Sequence, residues 1–279
     1  MVRRLIMIVA ILTALSGRAT AQDFREMEMI CSDAGREPAP RISACTSLID
    51  GAAFTDLSDY ARTHLNRAAA RQSAGELDAA LTDLDTTLDY DPYSFEAYMN
   101  RGDLLLRLNE PYRAIADFSV AAGLNPLSAT PYARRGLALY AHREYGSAIQ
   151  DLETALGHDP ELREARQTLA WILATAPLPE LRDGQRASDL LQDIEAETDQ
   201  TGIVEAAVLA ESGDLDGALS RYRQIADGNA AATSRFQSYL QSAGYYDGPI
   251  DATFSAALED ALRRCLQNGC RIGAPRSAR

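Results

Sequence analysis

The chain has no lysine: all 27 cationic residues among its 279 are arginine. We read this as codon bias and attach no function to it. Cationic charge is also in deficit, since 40 carboxylate residues leave a formal charge of −13. That excludes nucleic acid as a partner, because such binding needs clustered basic charge. Histidine is scarce, and His64, His142 and His158 lie near no cysteine or serine in a nucleophile pattern. There is no glycine-rich phosphate loop. The four cysteines are not spaced C-x-x-C and have no histidine beside them, so no metal site is expected. Beyond the first residues, no apolar run is long enough to cross a bilayer. These absences argue against an enzyme and against any cofactor.

What is present is a period. Asp91-Pro92, Asn125-Pro126 and Asp159-Pro160 recur at intervals of 34 residues, and self-similarity at this length marks a stacked helical array. Three segments start at Ala61, Phe95 and Ala129 and align column by column. Position 8 is Ala68, Gly102 and Gly136; position 20 is Ala80, Ala114 and Ala148. Small residues there let two helices approach closely. Position 24 is Leu84, Phe118 and Leu152, a larger group that fills the space beside them. Proline at position 32 ends the second helix of each pair.

A further column pair predicts a contact. Position 7 is Arg67, Arg101 and Arg135, and position 23 is Asp83, Asp117 and Asp151. In a later segment, aligned on Ala218, the same positions are Glu205 and Arg221, so the signs swap together. The pattern predicts an ion pair between the two helices of each hairpin, a registration device rather than a ligand site.

The columns resemble the tetratricopeptide repeat, whose pattern has small residues at positions 8, 20 and 27, aromatics at 4, 11 and 24, and proline at 32. The first segment departs at position 4 (His64) and position 11 (Arg71). The resemblance implies an all-α, right-handed helical solenoid. We place the array at residues 61–228, about five hairpins, the fourth irregular because Ala187 arrives five residues late. Trp171, the only tryptophan, is expected in the core between repeats.

The ends differ. Residues 1–21 have a basic start (Arg3, Arg4), an apolar run and Ala19-Thr20-Ala21, the form of a cleaved secretory signal. Cleavage would take the charge from −13 to −16 by removing Arg3, Arg4 and Arg18. The expected location is the periplasm or the exterior. An even cysteine count in an exported chain points to disulfides. Of the three connectivities open to four cysteines, Cys31–Cys45 with Cys265–Cys270 fits the spacing best. Residues 22–60 read as a stapled helical cap that resembles the cysteine-containing lead-in of exported repeat arrays.

Residues 231–279 break the period. Gly244, Tyr246, Gly248, Asp251 and Phe254 resemble the helix–turn–helix pattern of the peptidoglycan-binding-like domain, although Ala252 and Ser255 replace its glycines. The resemblance implies a small helical module. Tyr245 and Tyr246 would stack on a sugar while Asp247 or Asp251 accepts its hydroxyls; alternatively Asp251 caps the second helix and the tyrosines pack. For the repeats, the resemblance implies a concave groove lined by position 6 of each first helix, here Asn66, Asn100 and Arg134. The expected function is a non-catalytic periplasmic scaffold holding a protein or peptide. The alternatives are a glycan-binding protein with the repeats as spacer, or an accessory subunit of an envelope enzyme.

Overall fold

The computed structural model describes residues 21–51, 54, 56–192, 199–270 and 272. Residues 1–20, which carry almost all of the expected signal, lie outside them. The described residues form fourteen α-helices, one short 3-10 turn and no strand. They are α1 (Ala21–Ser32), α2 (Pro38–Asp50), α3 (Leu57–Ala74), α4 (Leu77–Tyr90), α5 (Phe95–Arg107), α6 (Pro111–Leu124) and α7 (Ala129–Ala141). There follow α8 (Tyr145–His158), α9 (Arg163–Thr175), α10 (Gly184–Leu191), α11 (Asp199–Glu211), α12 (Leu215–Ala226), α13 (Ala230–Ser242) and α14 (Ala256–Gln267). No described helix is long and apolar enough to cross a membrane. The chain divides into two compact units, one ending at Leu104 and the other beginning at Leu105.

In the first unit α1 packs on α2, α2 on α3, and α3 on α4. Proline at the start of α2 supplies a fixed φ where no N–H bond is needed. The Cys31–Cys45 disulfide joins α1 to α2 with the Cα atoms 5.0 Å apart. Around it Ala44 and Leu48 are buried, with Phe24, Met27, Ile30 and Phe54 packed against them.

In the second unit each hairpin packs internally (α7 on α8, α11 on α12) and on its neighbour (α6 on α7, α8 on α9). The small-residue columns are where the sequence puts them: Ala80, Ala114, Ala148 and Ala218 are all 0% exposed. One apolar core runs from Ala133 to Ile272. It includes Trp171, which donates from Nε1 to the Tyr140 hydroxyl at 2.8 Å. Burial pushes the Tyr140 hydroxyl's pKa up, and the Trp171 hydrogen bond offsets part of the rise. Helices α13 and α14 belong to this same core: Tyr222 of α12 meets Phe236 of α13 edge-on at 5.3 Å.

The turns inside the hairpins share one geometry. Gly75, Asn109, Arg143 and Gly213 occupy the same repeat position and all have positive φ, at 81°, 61°, 67° and 88°. A left-handed residue there lets the chain leave the first helix and enter the second.

Candidate functional site

The predicted ion pair is present in the first, third and last hairpins. Arg67 donates to both Asp83 oxygens, from Nε at 2.9 Å and from Nη2 at 2.7 Å. Arg135 holds Asp151 in the same bidentate way, at 2.6 and 2.7 Å. In the last hairpin the reversed pair, Arg221 with Glu205, lies at 2.6 Å. A guanidinium fork matches a carboxylate geometrically, so the contact fixes register as well as charge. The sequence did not show that these arginines also bond to the preceding helix. Arg101 reaches back to Asp85 at 2.8 Å, and Arg135 to the Ser119 hydroxyl at 3.1 Å. Both acceptors are sixteen residues earlier, on the second helix of the preceding hairpin. Arg67 does the same to Thr46 on α2, so the cap's second helix stands in for the missing preceding hairpin.

The two departures of the first repeat converge on one carboxylate. His64 Nδ1 lies 2.8 Å from Asp83 and Arg71 Nη1 donates to it at 2.7 Å, beside Arg67. Asp83 is 1% exposed. Burial alone would raise its pKa, but hydrogen bonds from His64 and Arg67 and the charges of Arg67 and Arg71 outweigh it and hold the carboxyl below its usual range. Each polar substitution looks like an unrelated loss of consensus; together they neutralise and ligate one buried anion. The visible signal was their pairing in one repeat.

The groove candidates are placed as follows. Asn66 on α3 and Asn100 on α5 are half-buried in the first unit and make no side-chain hydrogen bond among the described residues. Asn66 borders a cavity of about 420 Å³ between α1 and α3, walled by Arg25, Glu28, Met29, Asp59 and Arg62. Arg134, in the second unit, is engaged: it donates to Glu164 of the next hairpin at 2.7 Å.

At the C-terminal turn the tyrosines pack, one of the two arrangements the sequence left open, but Asp251 has a different role. Tyr246 is only 7% exposed and its hydroxyl donates to the Pro249 carbonyl at 3.1 Å, so it is not half of an open stacking pair. Gly248 is required beneath it, because a Cβ there would collide with the tyrosine ring. Tyr245 is half-buried and packs on the core, while Asp247 is exposed. Asp251 does not cap α14; Ser255 does, accepting from the Leu258 N–H. Asp251 instead accepts from Gln237 at 2.8 Å and from the Thr253 N–H at 2.9 Å, bonds that lower its pKa in that order. The fully buried Gln237 returns an acceptor to the Ala252 N–H at 3.0 Å. Cys265 and Cys270 are joined, as the spacing suggested. No group of three or more His, Cys, Asp and Glu able to hold a metal occurs among the described residues.

No protein-family model and no curated protein matches this chain. Solved structures do. A MamA double mutant (RS-1 ArsTM) is 19% identical over 70% of this chain and 96% of its own, with a TM-score of 0.53. YrrB, described as a TPR protein with an unusual peptide-binding site, is 19% identical over 68% of this chain and 94% of its own, with a TM-score of 0.51. The fold is that of the tetratricopeptide repeat. The first TPR of Spaghetti (RPAP3), solved with the HSP90 peptide SRMEEVD, is 29% identical over 41% of this chain and 91% of its own, with a TM-score of 0.40. In tetratricopeptide terms, His64 and Arg71 replace two aromatic-type positions with ligands of Asp83, and the other small-residue columns hold.

Proposed function

We propose that the protein is a non-catalytic, exported scaffold that holds a protein segment against the first helices of its repeats. The observation that carries this reading is the contrast along those helices. The arginines of position 7 and Arg134 are tied to carboxylates, whereas Asn66 and Asn100 make no side-chain hydrogen bond among the described residues. An amide with a free donor and acceptor suits the backbone of an extended segment. With the Arg134 cation matched by Glu164, recognition of a C-terminal carboxylate is disfavoured. YrrB, a TPR protein with an unusual peptide-binding site, is consistent with this use of the fold.

Export is supported by the basic start and apolar run of residues 1–21, and by two disulfides, which persist in oxidising compartments. The glycan reading of the last helices loses its main support with Tyr246 buried, leaving Asp247 and half-buried Tyr245. A pull-down of the full chain with purified sacculi decides whether cell-wall attachment belongs to the function. The scaffold reading is tested with photo-crosslinking residues placed singly at Asn66, Asn100 and, as a control, at the exposed Asp78 of α4. Crosslinks to a partner from the first two sites and none from the third are expected. Equal yields from all three would refute groove binding.

A further inference from the structure

The geometry points to the Cys265–Cys270 disulfide as a thiol-exchange latch: a dithiol reductant opens it, and opening releases Ile272 from the apolar end of the last repeat. The bond lies where α14 ends. Gly269 is left-handed at φ 72°, and the Cys270 N–H donates to the Cys265 carbonyl at 3.0 Å, turning the chain back on itself. Two residues on, Ile272 is 1% exposed in the core, and its carbonyl accepts from the Tyr222 hydroxyl at 3.3 Å. Tyr222 belongs to α12, the second helix of the last hairpin, and is itself 0% exposed. A short ring thus steers one aliphatic side chain and one carbonyl onto the end of the array.

The rest of α14 covers the hairpin with its own buried face, Leu258, Ala261, Leu262 and Leu266, which shares one core with Tyr222, and it adds ion pairs at the surface. Arg223 meets Glu259 at 2.5 Å and Arg263 meets Asp216 at 2.9 Å. Their exposed side chains make such pairs weak. The ring adds Ile272 to the apolar cover that α14 already gives this end. A repeat array needs its terminal apolar face covered, and here one part of that cover, Ile272, is fastened by a bond that chemistry can break.

The two sulfurs are unequal. Cys265 is 0% exposed, whereas Cys270 is half-buried and within reach of solvent. A thiolate of the reductant attacks the Cys270 sulfur; the S–S bond breaks and Cys265 leaves as a thiolate. The second thiol of the reductant then attacks its own sulfur in the mixed disulfide and releases Cys270. Two electrons and two protons pass to the protein, and the reductant departs as a disulfide. The thiolate expelled at Cys265 arises among Leu262, Leu266 and Ala261, where an unpaired charge is strongly disfavoured. Bond cleavage is therefore coupled to fraying of the last turn of α14. The other disulfide lacks this asymmetry, with Cys31 2% and Cys45 0% exposed.

The test uses the full oxidised chain. Limited treatment with dithiothreitol followed by alkylation and mass spectrometry should label Cys265 and Cys270 before Cys31 and Cys45. Simultaneous labelling, or the reverse order, overturns the proposal. Hydrogen exchange is then measured on the parent, Cys270→Ser, Ile272→Ala and the double variant; Cys265 is kept because a buried thiol packs as a small apolar group. Each single variant should speed exchange roughly tenfold in the amides of 218–226 and 256–267 while leaving α3 and α4 unchanged. The double variant should add little to either single, since both act through one latch. Unchanged exchange, or fully additive effects, would show that the ring does not fasten the array's end.

Discussion

The left-handed turn column offers a clean test of the repeat reading, because backbone strain can be separated there from packing. At Gly75 and Gly213, with φ of 81° and 88°, an added Cβ would meet nothing within 4 Å. Gly75→Ala and Gly213→Ala therefore lose stability through φ alone. An L-residue in this region costs about 1–2 kcal/mol. Removing a glycine from the unfolded chain returns about 0.4–1 kcal/mol, leaving a net loss of about 1 kcal/mol, or roughly 2–4 °C in Tm for a chain of this size. Arg143 sits at φ 67° in the same column with an exposed side chain. Arg143→Gly should therefore stabilise by a similar amount, and Asn109→Gly by less, since asparagine tolerates this region. Urea unfolding followed by circular dichroism gives the totals; hydrogen exchange shows whether each change is confined to its own hairpin. The reasoning fails if Gly75→Ala is neutral or if Arg143→Gly destabilises.

Three other outcomes follow. Asp83→Asn should cost about 3–5 kcal/mol, because it leaves the Arg67 and Arg71 charges without their buried partner. Asp83's folded pKa is depressed, so its contribution is complete above the unfolded carboxylate value near 4 and is lost as pH falls through the lower folded value; acid titration of the variant should lack that component. Exchanging Glu205 and Arg221 together should restore most of what either single reversal removes, with a coupling of about 0.5–1 kcal/mol in a double-mutant cycle. No recovery would mean the pair does not register the hairpin. Ala252→Gly, at φ 61°, should raise stability by about 1 kcal/mol in thermal melts; a lowered Tm would contradict the strain assigned to that turn.

The array was legible in the sequence because stacking writes itself in columns. Ala80, Ala114 and Ala148 must be small and Pro92, Pro126 and Pro160 must stop a helix, whatever surrounds them. The ion pair was legible because one repeat reverses it: Glu205 and Arg221 change sign together only if they touch. The polar cluster at Asp83 was not, since His64 and Arg71 lie nineteen and twelve residues from it and read separately as lost aromatics. At the C-terminal turn, composition left two arrangements open. Two adjacent tyrosines suggest an exposed platform, but alternation of their side chains sends Tyr246 inward over Gly248. The role of Gln237 was equally hidden, because a buried amide serving a turn fifteen residues away leaves no periodic trace.

Arg135, at position 7, holds acceptors sixteen residues away in both directions, Ser119 behind it and Asp151 ahead of it. Copying a whole 34-residue unit preserves both offsets, so the array can lengthen by duplication without redesign. A single inserted residue in a turn instead unhooks the guanidinium from one side. The irregular fourth hairpin, with five additional residues between its helices, carries the buried Leu169 at that position instead of an arginine. Length variation is thereby channelled into the one hairpin that has given up the clip.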